Sequence, residues 1–381
     1  YVFVALFAAA DASLVSLNLV NAFPALRWVR VHSITLGILS QVIFGLLPIL
    51  VASLSKKPKP AFRWDIWLTL NAGLIALIAG FAGVNQPMIL TGGTLIFTAA
   101  TLLLIQLWNV RGGDAPASLK FYITGLFYLL VGIIIGTGLW LNWSEALYIQ
   151  VPLEVHIHAN SWGFMSLVFA GLLVDLIPMI TGRPLGSAKE ISLICWGMAL
   201  GAFGLVLGPW LGGSLPPTVS GLILHLSATI WLIVLMGRAL KAGGRLSSAG
   251  GWHLLASYAW ILLPVLVAPL ILLGFTEGGP IESTAPQALI YGWIFQFGVA
   301  IVPFIARRFF LREETPQLGG NWLSLAGITL GSIFIWVSIF IIPARGMLYG
   351  IGFALYALAM IPPVRELFEI ARDGLKKIEA A

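Results

Sequence analysis

The chain has 381 residues, 59% hydrophobic and only 9% charged, with 21 Lys and Arg against 15 Asp and Glu, five His, fifteen Trp and a single Cys. So few charges do not cover a soluble core of this size, whereas lipid-facing helices need no polar surface, and soluble classes are excluded. The formal charge of +6 sits in short clusters between apolar runs, a topology signal that leaves no nucleic-acid interface, and lone Cys195 gives neither a disulfide nor a thiolate metal cluster.

Apolar runs of about 20 residues, the length that crosses about 30 Å of hydrocarbon as a helix, divide the chain into twelve predicted spans. The first opens at Tyr1, without a methionine, so a longer natural start and a clipped first run are expected; this run holds Asp11. The others open near Val29, Asp65, Pro87, Leu119, Leu153, Ala188, Pro217, Gly251, Thr284, Asn321 and Gly346, the last two separated only by "IIPARG". Residues 1–362 read as one all-α transmembrane domain. Residues 363–381 read as a tail whose Leu367, Phe368, Ile370, Ala371, Leu375 and Ile378 fall at helical spacing opposite charges, as in a helix lying on a membrane surface.

The loops after spans 2, 4, 6, 8 and 10 carry Lys56, Lys57, Lys59 and Arg63; Arg111 and Lys120; Arg183 and Lys189; Arg238, Lys241 and Arg245; and Arg307, Arg308 and Arg312. The remaining loops hold only Arg27, Arg30 and Arg345, with acidic Glu145, Glu277 and Glu282. The positive-inside rule puts the basic loops and both termini in the cytoplasm of a bacterial or archaeal cell. Trp28, Trp64, Trp143, Trp252 and Trp322 lie near run ends, where interfacial anchoring is expected.

Span 2 contains "HSITLGILSQVIFGLLP" from His32 and span 6 "HANSWGFMSLVFAGLL" from His158; each has Gly five residues after His, Ser eight after it, and Gly-Leu-Leu from thirteen after it. Span 10, "QALIYGWIFQFGVAIVP", repeats the Gly at five and, as in span 2, the Pro at sixteen, with Gln287 in place of His. Three similar four-helix units would bring these polar residues around a shared interior near the periplasmic face. Imidazole in hydrocarbon is costly unless hydrogen-bonded or ligating, and His is a common metal and haem ligand.

The segments "HANSWGFMSLVFAGLLVDLIPMITGRPL", "RVHSITLGILSQVIFG" and "YGWIFQFGVAIVPFIARR" resemble the sixth, second and tenth helices of heme-copper oxidase superfamily subunit I, in its cbb3-type and nitric oxide reductase branch. The resemblance implies a pseudo-threefold bundle of twelve helices, a b-type haem with His32 as a ligand, His158 as a metal ligand, and companion membrane or cytochrome subunits. It also implies copper or non-haem iron held by adjacent histidines on the seventh helix and haem histidines on the tenth. Here "AKEISLICWGMALGAFGLVLGPWL" has no His, and the tenth helix offers only Gln287 and Tyr291. A complete oxygen- or nitric-oxide-reducing centre is therefore not expected.

Residue by residue, His32 and His158 read either as ligands or as hydrogen-bonded structural histidines. His156 is two residues before His158, so on a helix the two point about 200° apart and do not share a metal unless that stretch is unwound. His156, beside Glu154, otherwise reads as a supporting or surface group. Arg27 and Arg30 are positioned to neutralise haem propionates or to anchor at the interface. His225, flanked by Ser227 and Thr229, reads as a replacement metal ligand or a buried hydrogen-bonded His, and His253 beside Trp252 as interfacial. Asn160 reads as a helix cap or a partner of a bound ligand, and Asp175 as a proton-path acid or a surface acid. The sequence contains no phosphate-cradling loop, no Cys-x-x-Cys-His and no paired-His zinc helix. Two functions follow as expectations: a membrane redox protein acting in respiratory electron transfer or in reduction of oxygen or nitric oxide, or a structural or assembly subunit that keeps the fold without the cofactors.

Overall fold

The computed structural model describes residues 10, 26–82, 84–112, 114–275, 281 and 285–379. Among them every regular element is a helix, and ten helical stretches are long and apolar enough to cross a membrane: Ser33–Leu54, Trp64–Phe81, Gln86–Trp108, Leu119–Leu141, Pro152–Thr181, Ala188–Trp210, Leu215–Ala242, Ala249–Leu272, Ala285–Arg308 and Ile342–Lys377. The protein is an all-α integral membrane protein whose solvent is the lipid bilayer. The span expected near Asn321 is a shorter apolar helix, Trp322–Val337. The expected first span with Asp11 lies outside the described residues, as do Glu277, Glu282 and the side chains of Arg27, Arg30 and Ile378.

Local chemistry sets the helix ends. Asn85 caps Gln86–Trp108 by accepting from the Met88 N–H, with Pro87 in the first turn, where a missing N–H costs nothing. Ser187 and Glu190 form a reciprocal capping box at the start of Ala188–Trp210, and Asn321 and Ser324 form one at the start of Trp322–Val337. Helix Leu119–Leu141 stops at Asn142, whose φ of 58° is the left-handed conformation that ends helices and that Asn tolerates.

Two compact units divide the chain. One comprises Val31–Leu176 with Pro184–Val234; the other includes Ile177–Arg183 and the chain from Leu235 onward. The first contains α1 (Ser40–Leu54), α2 (Trp64–Ala82), α3 (Gln86–Trp108), α4 (Leu119–Leu141), α5 (Pro152–His158), most of α6 (Ser166–Thr181), α7 (Ala188–Trp210) and the first part of α8 (Leu215–Ala242). Glycines bring these helices together. Cβ atoms at Gly73 of α2 and Gly92 of α3 would each run into the backbone of the other helix, and those at Gly204 of α7 and Gly221 of α8 behave the same way. Lipid offers no hydrophobic drive for helix association, so close backbone approach and dispersion contacts supply it.

The second unit contains α9 (Ala249–Leu272), α10 (Gln296–Phe310), α11 (Trp322–Val337), α12 (Arg345–Ala359) and α13 (Ile361–Glu379). The tail residues belong to α13, an amphipathic helix seated on α10. Ile370 is buried, a Cβ at Gly374 would reach Phe310 at 3.0 Å, Glu366 binds both Arg307 and the Gly320 N–H, and Lys377 donates to the Leu311 carbonyl. Its opposite face leaves Phe368 and Leu375 exposed. Such a face suits the headgroup region of a membrane.

Three of the helical stretches widen. Ser33–Leu39 (π1), Ala159–Met165 (π2) and Leu289–Phe295 (π3) are seven-residue π-helical segments running without a break into α1, α6 and α10. Backbone pairing shifts to the fifth preceding residue: the Ser40 N–H bonds the Thr35 carbonyl, and the Ser166 N–H bonds the Ser161 carbonyl. All three fall in the segments that the sequence aligns as repeats.

Candidate functional site

The most enclosed apolar stretch near this unit lies within Pro152–Thr181, where an 18-residue window is 83% buried against 44% for that of the neighbouring α4. His156 and His158 sit near its N-terminal end, on the last turn of α5 before π2. Helical geometry sends them to different neighbours, as their spacing implies. His156 Nδ1 lies 2.9 Å from the carbonyl of Gly132 on α4, and His158 Nδ1 lies 2.6 Å from the carbonyl of Leu205 on α7. A carbonyl only accepts, so each Nδ1 bears a proton and donates it there.

Gly132 and Gly136, one turn apart on α4, make the notch that receives this region. A Cβ at Gly136 would stand 2.5 Å from His156 Cε1 and 2.6 Å from its Nδ1, and one at Gly132 would overlap the Asn160 amide. Asn160 sits inside π2 and does not cap a helix start. Its Nδ2 donates to the His156 carbonyl at 2.8 Å, adding a donor where the wider turn has shifted the backbone ladder. Ile135, Val155, Ala159, Ile149 and Val206 form an apolar cluster around this end of the unit.

His32 closes the arrangement from the opposite side. It precedes π1 as His158 precedes π2. Its imidazole faces His156: the ring centres are 6.3 Å apart and the planes 18° from parallel. Sequence reading pairs His32 with His158; the fold sets it against His156. All three rings are partly exposed, with His156 engaging Gly132 and His158 engaging Leu205.

His225 of α8 occupies the same unit but a more enclosed place. Its Nε2 lies 3.3 Å from the Trp162 carbonyl and 3.0 Å from Ser166 Oγ, and Nδ1 lies 3.3 Å from Thr229 Oγ1. The Trp162 carbonyl requires the proton on Nε2, which leaves Nδ1 to accept from the Thr229 hydroxyl. Trp162 also sets its ring edge-on to His225, with centres 5.5 Å apart. Both nitrogens are committed to protein partners. Among the described residues, no three His, Cys, Asp or Glu side chains form a metal-holding group.

Nearer the other end of the same helix, Asp175 accepts a hydrogen bond from the Tyr122 hydroxyl, and both side chains are buried. That pairing makes Asp175 an interior acid and not the surface acid that its sequence position also allowed.

In the second unit, Gln287 and Tyr291 are buried at the start of the third repeat. Tyr291 lies in π3 within an aromatic cluster, its ring centre 5.1 Å from that of Phe353 and 4.8 Å from that of Tyr356. His253, expected at the interface, is fully buried; its Nε2 is 2.9 Å from Ser324 Oγ, tying α9 to the capping box of α11. The polar groups of the α11 cap give His253 a partner that the α9 sequence does not reveal.

Sequence reading missed the glycines that seat His156, although Gly132-Ile-Ile-Ile-Gly136 is itself the small-xxx-small pattern of close helix contacts. It also missed Tyr122 as the partner of Asp175. No protein-family model matches the chain, and no curated protein or solved structure matches it. The fold and these contacts define the class alone: an all-α integral membrane protein with a preset cluster of histidines in one helical unit.

Proposed function

We propose that the protein is a membrane redox protein similar to heme-copper oxidase subunit I, holding a b-type haem near the periplasmic ends of its helices and serving respiratory electron transfer or reduction of oxygen or nitric oxide. The observation carrying this reading is the repeated element of a histidine followed at once by a seven-residue π-helix, at His32 with π1 and at His158 with π2. A third π-helix, π3, begins at Leu289, two residues after Gln287, which stands where the other repeats have His. π-Turns inside transmembrane helices cost backbone pairing and concentrate at functional positions. Their recurrence at nearly the same place in each repeat supports a three-unit ancestry, the pseudo-threefold arrangement of twelve helices and the family resemblance together.

The residues fit haem better than a lone metal ion. Haem is held by imidazole donors, and His156 and His158, each with Nδ1 anchored on a backbone carbonyl, are among the residues that would hold it, with His32 beside them. A lone copper or non-haem iron needs three or four ligands, a set the described residues do not assemble. Bound haem would supply one-electron redox chemistry. The protein's own part would be to orient the imidazoles and to exclude water with the cluster around Ile135 and Val155. Gln287 and Tyr291 mark the third repeat position, and companion membrane or cytochrome subunits belong to this reading. Basic even-numbered loops support cytoplasmic termini.

A second reading, a structural or assembly subunit that kept the fold and lost the cofactors, is favoured by His225 and His253, both buried in hydrogen bonds to protein groups. A reduced-minus-oxidised optical spectrum with a pyridine haemochrome assay on purified protein decides between them. A b-type signal supports the redox reading. Folded protein without haem, from cells making haem in excess, establishes the structural one.

A further inference from the structure

We propose that the loop joining α1 to α2, residues 55–63, is a docking site for anionic phospholipid headgroups, with Lys56, Lys57 and Lys59 on the phosphates and the rings of Phe62, Trp64 and Trp67 setting the depth. Nothing in this site depends on haem.

Charge is the first observation. Residues 55–65 carry Lys56, Lys57, Lys59 and Arg63 against a single acid, Asp65. Arg63 is engaged within the protein: its guanidinium holds the Asp65 carboxylate through Nε, at 2.8 Å, and through Nη2. The three lysines are exposed, and among the described residues no carboxylate pairs with their ammonium groups. Several cations of the other basic loops are bound to protein groups instead: Arg245 to the Ile180 carbonyl, Arg307 to Glu366, and Arg308 to the carbonyls of Glu313 and Glu314. A cluster of unpaired cations at the end of a transmembrane helix attracts anionic headgroups.

The backbone is the second. Helix α1 ends in a Schellman turn: the Lys57 N–H bonds the Ala52 carbonyl at 2.9 Å, the Lys56 N–H bonds that of Ser53 at 3.2 Å, and Lys56 takes a φ of 54°. Glycine is the unstrained residue at that left-handed position, so a lysine there gives up stability to keep a charge. Pro58 and Pro60 come next, and the residue before a proline favours extended backbone, here Lys57 and Lys59. A loop stiffened in this way loses little conformational freedom when it meets a ligand.

The rings decide what the ligand is. Phe62 meets Trp64 edge to face with centres 4.7 Å apart, and Trp64 meets Trp67 in the same way at 5.7 Å. All three stay exposed, and exposed Leu68 extends their face along α2. Indole rings settle at the level of lipid headgroups, which puts the lysines just before them among the phosphates. A soluble acidic partner or free phosphate would use the lysines and leave three bare rings beside them unexplained.

The test uses the full-length protein in mild detergent, titrated with mixed micelles of phosphatidylglycerol or phosphatidylcholine, with bound lipid counted by native mass spectrometry. The parent protein prefers phosphatidylglycerol, and the preference falls as salt is raised. Lys56→Gln, Lys57→Gln and Lys59→Gln each lower it about fivefold, and the triple variant about a hundredfold. Arg183→Gln, Lys189→Gln and Lys241→Gln, combined in one control, remove the same charge from other exposed positions and leave most of the preference in place. Lys56→Gly separates binding from folding: it relieves the left-handed backbone, so the protein melts at a higher temperature while its preference for phosphatidylglycerol falls. An equal loss in the control variant overturns the site in favour of a general charge effect, and a parent protein that binds the two lipids equally overturns it outright.

Discussion

Gly136→Ala is the most direct test of the notch. The added Cβ would stand 2.5 Å from Cε1 and 2.6 Å from Nδ1 of His156, well inside contact distance, and the obstacle is a ring held by a backbone hydrogen bond rather than the free end of a flexible chain. Either the ring swings away from the Gly132 carbonyl, or α4 and α5 separate. Overpacking of this kind costs about 1–3 kcal/mol, and loss of the Nδ1 hydrogen bond adds about 1 kcal/mol. Replacing Gly by Ala within a helix returns up to about 1 kcal/mol. The net expectation is destabilisation of about 1–3 kcal/mol. Gly45→Ala is the matched control: Gly45 lies within α1, and a Cβ there meets nothing within 4 Å, so it leaves stability unchanged or raises it by up to about 1 kcal/mol. Unfolding of both variants in mild detergent, followed by circular dichroism and tryptophan fluorescence, measures the difference. A Gly136→Ala protein as stable as Gly45→Ala refutes the seating of His156 in the Gly132–Gly136 notch.

Tyr122→Phe strips the buried Asp175 of its hydroxyl donor and costs about 1–3 kcal/mol, whereas Asp175→Asn retains an acceptor for Tyr122 and costs less; thermal unfolding ranks the two, and the reverse order removes the pairing. His225→Ala leaves Thr229 and Ser166 without their ring partner and opens a cavity beside Trp162, for a loss of about 2–4 kcal/mol; it leaves any haem spectrum unchanged, and a spectral change places His225 among the ligands. Glu366→Ala breaks the contacts that hold α13 to Arg307 and to the Gly320 N–H. Limited proteolysis in detergent then cuts at the junction between α12 and α13 faster than in the parent; equal rates refute the anchoring role of Glu366.

Hydropathy alone determined much of this molecule. Helices began close to the expected positions Asp65, Pro87, Leu119, Leu153, Ala188, Pro217, Gly251 and Asn321, because a bilayer forces backbone groups to pair within each apolar stretch and leaves helix as the local solution. The relation between "HSITLGIL" and "HANSWGFM" was also legible, and the π-helices show that it is a relation of backbone shape as well as composition.

Partners were decided only by tertiary structure. Spacing said that His156 and His158 diverge, but it did not say that His156 meets His32 and the Gly132 carbonyl while His158 meets Leu205. Nor did it bury His253 under the α11 cap or give Asp175 its tyrosine. In lipid the apolar faces of the helices are nearly equivalent, so hydropathy carries no record of which face touches which neighbour. That choice falls to glycines, whose missing Cβ atoms let particular pairs of helices approach, and to the few polar groups that must find each other across the gap.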